Sequence, residues 1–304
     1  MAYHARTVSA LQSEPRARPI VVIGMHRSGT SLVARVLAAA GVQMGADRNV
    51  HDESDFFRAL NKQIFRAAHA DWDWPLATVP ALEDKTLCDN LAEHLAERCA
   101  SKDARAYLGR RFGKADLAAQ TGRWGWKDPR NTCTLPLWLR IFPEAQVVNV
   151  YRDGVDVAAS LVARERKRAG RLENAIRSSR CLDPDRAFGL WAEYVERSLD
   201  VTAELPPARV RDVRYERLVA KPYEAVRELL GFLDLGRDEG EVAALMRMID
   251  PARAPAAHKD LEQDLVANRR EERESVEPHA SGHRESIPPE LVGPCPRQDR
   301  RGNT

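Results

Sequence analysis

Residues 19–37 read PIVVIGMHRSGTSLVARVL, and this stretch decides the fold of the chain. An apolar run from Ile20 to Ile23 leads into a glycine-bounded loop, and apolar residues then recur at helical spacing between Leu32 and Leu37. The pattern predicts a buried strand, a loop and a helix in direct succession. We therefore expect an α/β domain with a central parallel sheet flanked by helices.

The loop within this stretch has the outline G-x-x-x-x-G-x-[ST], with Gly24, Gly29 and Ser31 in register. Glycines at these positions let successive backbone N–H groups converge on an anion, and the helix that begins near Thr30 adds the positive end of its dipole. The loop therefore predicts a phosphate site. Thr30 stands where the loop of a nucleoside triphosphatase carries its lysine, which disfavours a triphosphate, while Arg27 supplies a cation earlier in the loop. A glycine-rich turn without a ligand is the alternative.

The segment from Arg27 to Ser31, after a buried strand, resembles the 5′-phosphosulfate loop of the sulfotransferases that use 3′-phosphoadenosine 5′-phosphosulfate (PAPS). In that family a Lys or Arg precedes Ser-Gly-Thr-[Thr/Ser]. The resemblance implies a P-loop-like, three-layer domain whose loop holds the phosphosulfate end of the donor. The donor contacts that it implies in the loop are His26, Arg27, Ser28, Gly29, Thr30 and Ser31.

A second dense segment, RWGWKDPR at residues 123–130, is predicted to be a short strand that ends in a turn. Functional residues of open α/β sheets gather beyond the carboxyl ends of the strands. The Lys-Asp-Pro within this segment is similar to one in several sulfotransferase branches, where the lysine lies beside the transferring group. The resemblance implies that role for Lys127. An exposed lysine in a turn is the alternative.

The apolar run at residues 146–151 predicts another strand, and Arg152 follows it at once. Ser160 lies eight residues later, two turns into the next predicted helix, so both side chains can face one phosphate. An R-x₇-S pair is common by itself. Its position after a strand and downstream of the Arg27 loop is what makes it evidence for a phosphate site. The pair, with Asp156 between, resembles the 3′-phosphate pattern of the sulfotransferases.

The polar loop at residues 47–57 holds two candidates for a catalytic base, Glu53 and His51. The branch that the chain resembles carries a glutamate roughly two dozen residues after the loop cation, just before a helix with an asparagine, and Glu53 and Asn61 match this pattern. His51 competes because a free imidazole has a pKa of about 6.5, whereas a free glutamate has one near 4.3. We favour Glu53 as the base because its position matches this pattern. The alternative for Glu53 is a role in helix capping, and the alternative for His51 is an exposed histidine of the loop.

The chain of 304 residues carries a formal net charge of +2, which gives no reason to expect nucleic-acid binding. Basic residues cluster between 164 and 180, either as a solvated helix face or as a surface for an anionic substrate or cofactor. No run of about twenty apolar residues and no signal-peptide pattern occur, so we expect a cytoplasmic protein without a membrane span.

The predicted organisation is a flexible leader (1–18), one domain (19–250) and a largely flexible tail (251–304). The domain is predicted to contain a helical insertion at about 71–121, which includes an amphipathic helix over 83–111.

These patterns together predict a sulfotransferase that moves the sulfuryl group of PAPS to a hydroxyl or amine of an acceptor. Arg27 and Lys127 are the expected cations near the transferring group. No metal is expected, because the loop lacks the P-loop lysine and no acidic partner for Mg²⁺ stands out. The sequence leaves open the oligomeric state and whether the acceptor is a sugar, lipid, peptide or small alcohol. The alternatives are a nucleotide kinase or NTPase, and a non-catalytic relative that binds a nucleotide or a glycan.

Overall fold

The computed structural model describes residues 18–109, 116–120, 122–170 and 175–250. The predicted tail, and all of the predicted leader except Arg18, lie outside these described residues. The strands are β1 (Ile20–Ile23), β2 (Gly125–Lys127), β3 (Gln146–Tyr151) and β4 (Val210–Arg214). Within the described part of the chain they form one parallel sheet in the order β2-β1-β3-β4.

Helices lie between the strands and after the last of them. In the described residues, none of these helices is long and apolar enough to cross a membrane. The helices are α1 (Thr30–Ala39), α2 (Asp55–Ala67), α3 (Thr78–Glu83), α4 (Lys85–Cys99), α5 (Arg105–Leu108), α6 (Asn131–Ile141), α7 (Gly154–Ala169), α8 (Pro184–Ala203), α9 (Tyr215–Ala220), α10 (Pro222–Phe232) and α11 (Glu239–Met246).

Both faces of the sheet are covered, which is why its inner strands are apolar on both sides. All four residues of β1 are fully buried. Ile20 and Val22 belong to a core cluster that includes apolar residues of α1 and α10, whereas Val21 and Ile23 belong to a second that includes residues of α2 and α6. The predicted parallel sheet flanked by helices is therefore confirmed.

Parallel pairing brings the carboxyl ends of the strands to one edge of the sheet. Val22 lies opposite Lys127, the last residue of β2, and Tyr151 at the end of β3 lies opposite Arg214 at the end of β4. Residues that follow different strands along the chain therefore meet at this edge. The candidate site is built there.

The amphipathic helix predicted over 83–111 is wrong at both ends. Asp84 separates α3 from α4 and caps the latter, which ends at Cys99. The hydroxyl of Ser101 then accepts a hydrogen bond from the backbone N–H of Asp103 and starts a new turn. This turn redirects the chain so that Tyr107 packs in the core, where its hydroxyl donates to the carbonyl of Gln43 at 2.7 Å. A continuous apolar stripe does not reveal such a break.

Candidate functional site

The loop between β1 and α1 depends on two glycines with positive φ. Gly24 has φ 128°, and a Cβ there would lie 2.1 Å from the carbonyl oxygen of Val150. Gly29 has φ 93°, and a Cβ there would lie 2.3 Å from a ring carbon of Tyr215. Because neither position has room for a side chain, the loop can press against β3 and α9 only with glycine at both places.

The N-terminus of α1 opens onto a cavity at the sheet edge. Gly29 precedes the helix, which has no side-chain cap, and Thr30 and Ser31 line the cavity. The hydroxyl of Ser28 is buried and has no hydrogen-bond partner among the described residues. A helix N-terminus with free N–H groups and a spare hydroxyl nearby fits a phosphate-like anion.

A buried ion pair lies beside this loop. The Nζ of Lys127 is 3.2 Å from Oε1 of Glu53, and the two residues are only 2% and 7% exposed. Glu53 is held in place because its backbone N–H donates to Oδ1 of Asn49 and its carbonyl accepts from the N–H of Asn49. Ser54, the next residue, caps α2. The pair therefore joins the end of β2 to the start of α2.

His51 occupies a different position in the same loop. Its side chain is exposed at the cavity, while its backbone carbonyl accepts a hydrogen bond of 2.7 Å from the hydroxyl of Ser31. Its backbone N–H donates to the side-chain oxygen of Asn49 at 2.8 Å. Of the two proposed bases, only Glu53 makes the buried contact with Lys127.

A buried polar network, which sequence reasoning missed, includes Asp128, the residue that follows Lys127. The side-chain amide of Asn61 donates to Oδ2 of Asp128 at 3.1 Å and to Oδ1 of Asn131 at 2.8 Å. Its oxygen accepts from Thr134 at 2.8 Å and from the indole N–H of Trp138 at 2.9 Å. A fully bonded buried network fixes its members rigidly, so it holds α2 against the β2–α6 junction and sets the position of Glu53.

The two residues predicted to hold the 3′-phosphate, Arg152 before α7 and Ser160 within it, both lie near Arg27 of the loop. Nε of Arg27 donates to the hydroxyl of Ser160 at 2.8 Å. Arg152 instead pairs with Asp156 at 3.1 Å and places its guanidinium 4.8 Å from the ring centroid of Tyr215. Its Nε is buried without a partner among the described residues. Arg152 and Ser160 thus flank Arg27 from two sides.

His26, a residue of the loop, lines the cavity. Its ring packs edge-on against Trp72 at 5.1 Å, and its Nε2 has no partner among the described residues. Burial holds the pKa of His26 well below its usual value, and the nearby charges of Arg130, Arg164 and Lys127 lower it further. The imidazole is therefore neutral at pH 7 and can accept a hydrogen bond.

The cavity has a volume of about 1370 Å³ and a strongly positive lining. Eleven arginines and lysines line it, against three carboxylates, Glu53, Asp71 and Asp250. Burial lowers the pKa of Arg27, and Arg164 and Arg152 lower it further, because these cations crowd one another. An excess of cations around one cavity favours anionic ligands. The described residues contain no group of three or more His, Cys, Asp or Glu side chains placed to hold a metal ion.

Comparison with known proteins identifies the family of this chain. The model described as "Sulfotransferase family" matches residues 19–239, most of the chain. The chain belongs to the sulfotransferase family. The sulfotransferase resemblance of the loop is thereby confirmed.

Two curated proteins match this sulfotransferase-family chain over part of their length. An uncharacterized protein of Aquifex aeolicus (strain VF5) is 25% identical over 228 residues, which are 74% of this chain. A putative protein-tyrosine sulfotransferase of Caenorhabditis briggsae is 28% identical over 109 residues, which are 36% of this chain. The matches span 26% and 36% of these relatives, so the chain covers well under half of either.

Solved sulfotransferase structures are similar at low identity. The sulfotransferase domain from the curacin biosynthetic pathway is 17% identical, with a TM-score of 0.47, over 83% of this chain and 97% of that one. Mouse sulfotransferase SULT7A1, solved in complex with PAP, is 14% identical, with a TM-score of 0.45, over 83% of this chain and 72% of that one.

Most of the predicted site residues of this family member line one cavity. The two exceptions are Ser28, which is fully buried, and Ser160, whose hydroxyl accepts a hydrogen bond from Arg27. Sequence reasoning did not place Arg130 or Tyr215 in the site, although Arg130 directly follows the Lys-Asp-Pro segment. The residues predicted for the site that do line the cavity are His26, Arg27, Gly29, Thr30, Ser31, His51, Glu53, Lys127 and Arg152.

Proposed function

We propose that this protein transfers the sulfuryl group of PAPS to a hydroxyl or amine of an acceptor. The observation that carries the proposal is the buried Lys127–Glu53 pair, which lies beside an anion-binding loop in a cavity lined mainly by cations. A cation and a carboxylate side by side supply charge stabilisation and proton acceptance at one point.

The donor is proposed to lie along the loop. The N–H groups at the start of α1, with Arg27, Thr30 and Ser31, would hold the 5′-phosphosulfate. Arg152 and Ser160 would hold the 3′-phosphate, and two observations support this fit. The Nε of Arg152 is buried without a described partner, and the hydroxyl of Ser160 already contacts a cation of the loop.

The proposed reaction is an in-line displacement at sulfur. The acceptor oxygen or nitrogen forms a bond to sulfur while the bond from sulfur to the bridging phosphate oxygen breaks, and both electrons of that bond stay on the oxygen. Arg27 and Lys127 stabilise the charge that develops on this oxygen, and Glu53 takes the proton of the acceptor. The products are the sulfated acceptor and adenosine 3′,5′-bisphosphate (PAP).

The domain limits and the location remain predictions. We propose that residues 19–250 form the catalytic domain, with a helical insertion at about 71–121, between a leader (1–18) and a tail (251–304). The expected location is the cytoplasm.

Nucleotide selectivity tests the proposed function. PAP at a hundred times its dissociation constant should add about 2.7 kcal/mol to the free energy of unfolding, because it binds only the folded state. ATP at the same concentration, with or without Mg²⁺, should add far less, since Thr30 replaces the lysine that reaches a triphosphate. Thermal denaturation measures both effects. A larger shift with Mg-ATP would point to a kinase or NTPase instead.

Removal of Arg152 should affect only ligands with a 3′-phosphate. Loss of a charged hydrogen-bond partner commonly costs roughly 1.5–3 kcal/mol. Arg152→Ala should therefore weaken PAP by ten-fold or more by this estimate, while adenosine 5′-phosphosulfate, which lacks the 3′-phosphate, binds almost as before. Calorimetric titration measures both affinities. Arg166→Ala, which removes an exposed arginine of α7 outside the cavity, is the matched control. Equal losses for the two nucleotides would make Arg152 structural.

A further inference from the structure

The proposed donor site uses only a few of the cations in the cavity. Arg27, Lys127 and Arg152 serve the donor, and Arg35 is already paired with Asp52 at 2.9 Å. A second set of cations, on α2 and around α7 and β2, also lines the cavity, and the donor does not account for it. We name this set the second cation group; its members are Lys62, Arg66, Arg130, Arg164 and Arg177.

Several members of the second cation group lack counter-ions. Lys62 and Arg66 form no ion pair with any described residue, although Arg58 on the same helix pairs with Asp55. Burial lowers the pKa of Lys62, and Arg58, Arg130 and Arg66 lower it further, against a smaller opposing effect of Asp128. Lys62 and Arg130 are half-buried and Arg66 is exposed, and like charges close together create a positive potential that a bound anion relieves.

Two other members, Arg130 and Arg164, line the cavity and are each paired with a carboxylate. Arg130 pairs with Asp128 at 3.1 Å and Arg164 with Glu165 at 2.8 Å, and both carboxylates are fully buried. These acids orient the guanidinium groups and are themselves sealed off from any ligand. The Nη2 of Arg164 is buried without a described partner, and its guanidinium lies 4.8 Å from the ring centroid of Trp72. Arg164 is thus held in place, and its Nη2 remains available as a hydrogen-bond donor.

Arg130 connects the two sides of the group. It lowers the pKa of Lys62 on α2, and it also contributes to the lowered pKa of Arg177, for which burial, Arg168 and Arg164 are larger causes. Arg130 further interacts with Glu53, whose charge helps to raise its pKa. The second cation group and the Lys127–Glu53 pair line the same cavity.

We infer that the acceptor is a small molecule with an anionic group of its own, a carboxylate, phosphate or sulfate, which binds the second cation group while the reacting hydroxyl or amine faces Glu53. This inference rests on the proposed function. The cavity of about 1370 Å³ exceeds the roughly 300–1,000 Å³ typical of single-ligand pockets, so it has room for the nucleotide and a second small molecule. Arginine forks bind carboxylates and phosphates with paired hydrogen bonds.

Matched acceptor pairs test the inference. We would compare 4-hydroxyphenylacetate with 4-hydroxyphenethyl alcohol, and glucuronate with glucose, by transfer of labelled sulfate from PAPS and by calorimetric binding to protein saturated with PAP. The anionic member of a pair should show a kcat/KM, or an affinity, at least about ten-fold higher than the neutral member, the size expected for a charged hydrogen bond. Lys62→Gln and Arg177→Gln should each reduce this ratio by a similar factor. Arg166→Gln, an exposed cation outside the cavity, should leave it unchanged.

The outcomes separate this inference from the proposed function. A ratio near one, in protein that PAP still stabilises, would overturn the anionic acceptor and leave the proposed function intact. Absence of stabilisation by PAP would overturn the proposed function and the inference with it. Transfer to an acidic peptide or a sulfated polysaccharide, without binding of either small acid, would overturn the assignment to small molecules. An equal loss of the ratio in Arg166→Gln would show a general effect of surface charge and would also overturn it.

Discussion

Replacement of Glu53 by glutamine is expected to lower turnover by roughly 10²–10⁴-fold, the usual contribution of a positioned base, while the affinity for PAP stays nearly unchanged. Glutamine keeps the shape of the side chain and an oxygen that can accept from Lys127, but it cannot take the proton of the acceptor. The rate is measured with an acceptor identified by mass spectrometry of a pool incubated with PAPS. Calorimetric titration with PAP supplies the affinity.

His51→Ala is the matched comparison, because His51 lies in the same loop and was the competing candidate. Its side chain is exposed and forms no hydrogen bond or ion pair with Lys127 or Glu53 in the described part of the chain, so the variant should retain most of the activity. If the loss follows His51 instead, the two roles must be exchanged. If neither substitution slows transfer, the base lies outside this loop.

The second large effect concerns stability. Lys127→Met should lower the free energy of unfolding by about 3 kcal/mol, because it leaves the buried carboxylate of Glu53 without its counter-ion. We expect the lower end of the usual range, since water can reach the carboxylate from the cavity. Chemical denaturation at pH 7 measures the change.

The double variant Lys127→Met/Glu53→Gln should recover most of this stability, because no charge is then left buried and unpaired, and yet it should remain inactive. Lys85→Met, which breaks an exposed pair with Asp89, serves as the control and should change stability by less than about 1 kcal/mol. A double variant no more stable than Lys127→Met would mean that packing of the lysine stem, rather than its charge, is what stabilises the fold.

Local patterns in the sequence predicted the parts of the fold that depend on neighbouring residues. The apolar runs at 20–23 and 146–151 are strands, and α1 begins at Thr30, where the loop pattern placed it. The helix predicted over 83–111 failed because the break after Cys99 depends on a single serine side chain. A cap of this kind is one hydrogen bond, and hydrophobic periodicity does not register it.

The candidate site was predictable where motifs list its residues and unpredictable where distant segments meet. The contact of Ser160 with Arg27 was not predicted from the sequence, because it arises where adjacent β1 and β3 bring their following segments together. The network around Asn61 joins α2 to residues 128–138, a contact between segments that no local pattern connects. The second cation group is likewise gathered from separate elements.

The contact of Tyr215 with Gly29 has a consequence for the order of assembly during synthesis. The loop leaves the ribosome early, but the ring that packs over it follows the last strand of the sheet and, at roughly 5–20 residues per second, is made about ten to forty seconds later. Until then no tyrosine ring packs against Gly29 of the loop, and Arg152 lacks the ring over which its guanidinium lies. A nascent chain stalled before β4 should therefore fail to bind PAP. Binding of PAP by a nascent chain would show that its domain is complete.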